Sequence, residues 1–265
     1  MNYSPVWGAK TVDRFVVFFY LNDRRMSIKI MILLRILGAL LAFGSSSLTF
    51  LIAVDRREYF TYYSHWCMIM AIGMFAFGIY SSVAAHKQDR MMRLATTDAI
   101  FASNDTECDD CLELSTATVL LNWYHYVQWS LNNLAISSNL VTSIVYFMML
   151  NNSSTLRDKN FTTIVITSAA HIINSLAVIG ELIMGAVPVR LSDIYQPLAF
   201  TILYGIFYLA YKSITGREIY SFITSADEMV FLATVMILLQ IVIYCLTYCF
   251  DFIKCRCKKF IVQLK

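Results

Sequence analysis

The stretch FTTIVITSAAHIINSLAVIGELIM, Phe161 to Met184, decides the fold. A helix that crosses a bilayer takes about 20 mostly apolar residues, and this run supplies them with no proline and no glycine before Gly180. It also carries a histidine, an asparagine and a glutamate. At roughly 100° per residue, Thr167, His171, Asn174 and Glu181 share one helix face. An ionisable group facing hydrocarbon costs several kcal/mol, about 2.5–3.5 or more. That stripe must therefore face the inside of a bundle, as a buried polar site or as hydrogen-bonding glue between helices worth about 1–2 kcal/mol per bond.

Working outward, five more runs have comparable character: Ile30–Val54, Phe60–Ala85, Trp129–Leu150, Ile194–Tyr211 and Met229–Phe250. The whole chain of 265 residues is 58% hydrophobic and 15% charged, with a mean hydropathy of +0.60. That composition belongs to a membrane protein. The expectation is an all-α fold: a six-transmembrane-helix bundle over 30–250, a segment 1–29 before it, and a basic, cysteine-containing tail 251–265. Five basic residues and a long segment precede the first run, so it reads as a retained helix and not as a cleaved leader.

Lysine and arginine orient such a bundle because they are retained on the cytoplasmic face. With six spans, the two ends and the connections on their side hold fourteen of the 21 basic residues; the opposite connections hold six, and Arg35 falls inside the first run. Both termini are thus expected in the cytoplasm. The connection ASNDTECDDCLELS places Cys108 and Cys111 among acids beside a glycosylation-type triplet at Asn104. In a lumenal loop these read as a disulfide and a sugar; in the cytosol they read as free thiols or a weak metal pair. The basic-residue count favours free thiols. Further triplets at Asn151, Asn152 and Asn160 fall in a short outer connection.

Cys249, Cys255 and Cys257 sit in CFDFIKCRCKKF among basic residues. Cys255 and Cys257 in particular are candidates for reversible palmitoylation, and their basic neighbours suit anionic head groups. Arg190, just after Pro188, reads as an anchor at the end of the fourth run. No phosphate-binding glycine loop, dinucleotide fingerprint or convincing metal constellation is present, and the basic residues form no nucleic-acid stripe. The reading therefore assigns no cofactor, no metal and no nucleic-acid partner.

The start of the second run, REYFTYYSHW, supplies a candidate nucleophile. Thr61 becomes one only with a base within hydrogen-bond reach, and His65 or His171 is suited to that part. Asn174 is the nearer candidate to orient the imidazole or to donate to an oxyanion. Glu181 lies about 15 Å beyond His171 on the same helix, and is expected to pair with Arg190 or a tyrosine.

REYFTYYSHW, HIINSLAVIGELIMGAVPVRLSDIYQPLAFTILYGIFYLAY and GREIY together resemble the Rolling stone family of multipass membrane proteins, over most of the six runs. The segment TSADEM, after IYSFI, departs from the ending usual in that family. The resemblance implies a role in cell contact or myoblast fusion, with a cell-surface partner. More distantly, the chain is similar to the androgen-induced transmembrane hydrolases, which cleave fatty acid esters of hydroxy fatty acids. That likeness implies Thr61 as nucleophile, His171 as base, and a fatty acyl ester drawn from membrane lipids as substrate. Residence in the plasma membrane or endoplasmic reticulum suits both. A small transporter is the third reading; six helices with a polar stripe are compatible with it, but the broken helices that often mark such sites have no clear glycine or proline signal here.

Overall fold

The computed structural model describes residues 20–21, 24–25, 27–53, 58–102, 121–152, 161–220, 223 and 225–263. Six long helices make up nearly all of it: α1 (Ile28–Ile52), α2 (Tyr63–Ala102), α3 (Trp123–Asn152), α4 (Phe161–Met184), α5 (Tyr195–Thr215) and α6 (Ala226–Gln263). A two-residue ladder, Tyr20–Leu21 against Arg24–Arg25, precedes them. Single 3-10 turns, Tyr59–Thr61 and Leu191–Ile194, lead into α2 and α5. Asn104, Cys108, Cys111 and Asn160, with most of 1–29, lie outside the described residues.

Five of the helices are long and apolar enough to cross a membrane: Ile28–Ile52, Tyr63–Gln88, Phe161–Met184, Leu191–Thr215 and Ala226–Lys254. The chain is a helical, multipass integral membrane protein. Helix α3 has the length but not the apolarity. Its 30 residues include His125, Gln128, Asn132, Asn139 and Ser143, all buried. This polar helix touches α2, α4, α5 and α6, so its neighbours carry the apolar surface while α3 supplies the polar interior. Leu33, Leu40 and Phe43 of α1, and Phe231, Val242 and Leu246 of α6, lie exposed on the outside. That is the inversion expected where lipid, not water, surrounds the bundle.

Helices α1 and α2 pack antiparallel and close. A β-carbon at Gly38 would fall 2.5–2.9 Å from the ring of Phe75, so only glycine lets that ring lie against α1. Gly78 does the same for Arg35, whose side chain lies 3.1 Å from the space a β-carbon would take. The resulting contact runs through Ala42, Ala71 and Phe75 to Ile136 of α3 and Val178 of α4.

Between α4 and the second 3-10 turn, residues 185–190 are irregular, yet Ala186, Val187 and Val189 are buried. Backbone amides and carbonyls buried without helical partners are tolerated only when other groups satisfy them. Helix α6 supplies those groups. Lys254 Nζ donates to the carbonyls of Leu182 and Gly185, each at 2.9 Å. The Val189 amide donates to Asp251 Oδ2 at 3.4 Å, and the Tyr244 hydroxyl donates to the Arg190 carbonyl at 2.7 Å. The last helix therefore continues well past the expected end at Phe250, and its early tail has a structural task. Its backbone passes in helical form through Cys255 and Cys257.

Candidate functional site

Of the face expected on α4, His171, Asn174 and Glu181 are buried, together with Ala170 and Val178, whereas Thr167 is half-buried and donates to the Thr163 carbonyl at 2.8 Å. The partners of those residues separate them into two places. Glu181 meets Arg35, not Arg190 or a tyrosine. Arg35 is 0% exposed; its Nε donates to both carboxylate oxygens of Glu181 at 3.0 and 3.1 Å, and its Nη1 donates to Gly78 O at 2.8 Å and Ser82 Oγ at 2.6 Å. Three helices are clasped by one guanidinium. Arg190 is occupied elsewhere, with its Cζ 4.6 Å above the Trp129 ring. Both charged members of the expected supporting set thus have structural partners of their own.

Toward the Thr61 end lies a polar tract built by α1, the first 3-10 turn, the start of α2 and interior turns of α3 and α4. His171 is 5% exposed and its ring stacks on Tyr146, centroids 4.2 Å apart. Ser143 Oγ lies 3.4 Å from His171 Nδ1, donates its proton to the His171 carbonyl at 3.3 Å, and accepts from Ser175 Oγ at 2.8 Å. The tautomer with its proton on Nδ1 is the one that lets this hydroxyl keep its bond to the carbonyl while accepting from the ring. In the uncharged ring Nε2 is then a bare acceptor, and no group pairs with it among the described residues. Hydrogen bonding at one ring nitrogen sets the task of the other.

His65 has the same tautomer for the same kind of reason: its Nδ1 meets the Tyr59 carbonyl, which can only accept. Its ring stacks on Tyr59, centroids 3.5 Å apart. The two histidines lie within electrostatic range of each other. Tyr59 ties this corner to α1, donating to the Ser46 carbonyl at 2.8 Å and lying 3.1 Å from Thr49 Oγ1.

Thr61 is 8% exposed in the 3-10 turn, and its Oγ1 donates to the Glu58 carbonyl at 2.6 Å. No hydrogen bond joins it to His65 or His171 among the described residues. Asn174 Nδ2 donates to Ser45 Oγ and to the Ala170 carbonyl, each at 2.9 Å, which leaves Oδ1 without a partner among the described residues. Its amide thus orients α1 against α4 and does not touch the imidazole. Ser143, Ser175 and Tyr146 are members of the site that sequence reasoning missed. On α3 and α4 they are ordinary small or aromatic residues, and only the crossing of the two helices brings them to His171.

Among the described residues no group of three or more His, Cys, Asp or Glu comes together in a way that would hold a metal ion. Compared with protein-family models, curated proteins and solved structures, the chain matches none.

Proposed function

We propose that this Rolling stone-like chain is an intramembrane hydrolase of fatty acyl esters, with His171 as general base and Thr61 as nucleophile. The observation that carries the reading is the His171 ring: buried, stacked, and hydrogen-bonded so that Nε2 is left to take a proton. In the reaction Thr61 turns its hydroxyl from the Glu58 carbonyl and gives its proton to the imidazole. Its oxygen then attacks the ester carbonyl. The departing alkoxide takes that proton, and water later releases the acyl group by the reverse sequence. His65 stands on the first turn of α2, just after the 3-10 turn that carries Thr61, as a second acceptor, and Ser143 holds His171 in the required tautomer. We propose in addition that α3 is a sixth span, sheltered from lipid by its neighbours, and that both termini lie in the cytoplasm, as the basic residues favour.

A fluorophosphonate ester probe tests the chemistry on the purified, folded protein in detergent. Labelling of wild type that is lost in both Thr61→Ala and His171→Ala is the expected result. Retention in Thr61→Ala with loss in Ser143→Ala would move the nucleophile to Ser143. Absence of labelling in folded wild type would overturn the hydrolase and transfer the reading to cell contact or fusion.

A further inference from the structure

A second polar layer lies about 15 Å along α3 from Ser143, by the helical rise over ten residues, and the proposed hydrolysis uses none of it. Its position follows from the apolar layer above it, where Leu134 of α3 and Met236 of α6 pack with Phe200 of α5. Asn133, adjacent to Leu134 on α3, stands with Gln240 and Gln196, which lie one turn beyond Met236 and Phe200. Asn133 Nδ2 donates to Gln196 Oε1 at 3.3 Å and faces the Asp193 carboxyl. Gln240 occupies the same face of α6 as Tyr244, whose hydroxyl is bonded to Arg190, three residues before Asp193. The layer is therefore closed above by apolar side chains and below by Tyr244, Arg190 and Trp129.

Its hydrogen bonding is incomplete on the inside. Gln240 is 0% exposed and neither its Oε1 nor its Nε2 has a hydrogen-bond partner among the described residues. Asn133 Oδ1 and Asp193 Oδ2 are likewise buried and unmet, although Asp193 Oδ1 accepts from Ser192 at 3.2 Å. One unmet buried polar group costs about 1–3 kcal/mol. Several converging on one layer point to an occupant that satisfies them together. The unmet atoms are mostly oxygens, and carboxylate and amide oxygens are the donor set of hard cations.

We propose that Asn133, Asp193 and Gln240 bind a monovalent metal cation, sodium or potassium, through their side-chain oxygens. One carboxylate with Arg190 nearby leaves no counter-charge for a divalent ion. A singly charged ion, held mainly by amide dipoles, asks for the least counter-charge. The site couples to the rest of the fold because its ligands come from α3, the turn before α5, and α6. Occupancy therefore ties together three segments of the bundle.

The test is thermal unfolding of the full chain in sodium, potassium and N-methylglucamine chloride at equal ionic strength. A ligand that binds only the folded state raises its midpoint. The expected result is a saturable rise in Tm of roughly 5 °C in one metal salt over N-methylglucamine, absent in Gln240→Leu. Equal midpoints in all three salts would overturn the proposal, leaving a layer that holds water alone. A full metal response in Gln240→Leu would also overturn it, by placing the ion elsewhere. Should that variant not fold, Asn133→Asp adds a charge at the layer and is expected to lower the half-saturating metal concentration; an unchanged value would count against the site. None of these readouts depends on hydrolysis, so the fate of the ion site and that of the enzyme reading are distinguishable.

Discussion

Arg35 of α1 and Glu181 of α4, 146 positions apart in the chain, form a bidentate ion pair in the interior of the bundle. The arginine spends its remaining visible bonds on Gly78 and Ser82 of α2, so neither charge is stranded. Removing one partner of a buried pair leaves the other uncompensated, at a cost of about 3–5 kcal/mol, whereas replacing both with apolar residues is often neutral or stabilising. Arg35→Met and Glu181→Leu are each expected to lower stability by about that amount, and the double variant to recover most of it. Thermal unfolding of the three proteins in one detergent checks this; additive losses in the double variant would mean that the two residues act separately.

The Ser143 hydroxyl fixes the imidazole of His171. If the proposed hydrolysis holds, Ser143→Ala, which removes the acceptor of Nδ1–H, is expected to reduce it, while Ser143→Thr, which keeps the hydroxyl, restores it. His171→Ala should lose about 10²–10⁴-fold, the usual worth of a general base. Steady-state turnover of a fluorogenic acyl ester reports all three. Equal turnover in Ser143→Ala and wild type would remove the serine from the site.

Close approach of α1 and α2 rests on Gly38. In Gly38→Ala the new methyl would stand 2.5 Å from Phe75 Cε1, which forces the ring or the helix to move. Overpacking of this kind costs about 1–3 kcal/mol. Phe75→Leu in the same chain should relieve it. The pair is read by unfolding midpoints of the single and double variants.

Glu218 follows α5, outside the spans, and accepts from both Lys212 and Tyr208. Those hydrogen bonds, led by Lys212, hold its carboxyl below the ordinary value for glutamate. The folded value is lower than the unfolded one, about 4.3, so its contribution is fully present above that pH and is lost as pH falls through the folded value. The stability difference between wild type and Glu218→Gln should be greatest near neutrality and shrink on acidification. A difference that stayed constant below about pH 4 would show that the carboxylate charge plays no part. On the same connection, burial pushes the Tyr220 hydroxyl up to about 12. It therefore remains a donor and acceptor toward Tyr204 and the Tyr63 amide across that whole range.

Hydropathy made the apolar helices legible because length and apolarity are properties of a local window. It also gave the inward face of α4, since helical periodicity alone places His171, Asn174 and Glu181 together. The partners were not legible. Arg35 stood in plain view inside the first run, but pairing it with Glu181 required knowing that α1 and α4 lie side by side and antiparallel. In α3 the sequence mixes apolar and polar residues without a lipid-facing majority, so its place among four neighbours was invisible from composition. The reach of α6 past Phe250 was hidden for a related reason: Asp251 and Lys254 look like a charged flank until the irregular segment 185–190 presents backbone groups for them to meet.

By itself, then, the sequence determined that the chain is helical, that it belongs in a membrane, and that α4 carries a polar face turned inward. These follow from solvation, which acts on each residue and its helical neighbours. Only the tertiary structure decided that Glu181 answers Arg35, that Ser143 lies against Nδ1 of His171, and that Thr61 directs its hydroxyl to a backbone carbonyl. Hydrogen bonds and ion pairs depend on distances of a few tenths of an ångström between residues far apart in the chain, and only helix packing fixes those distances.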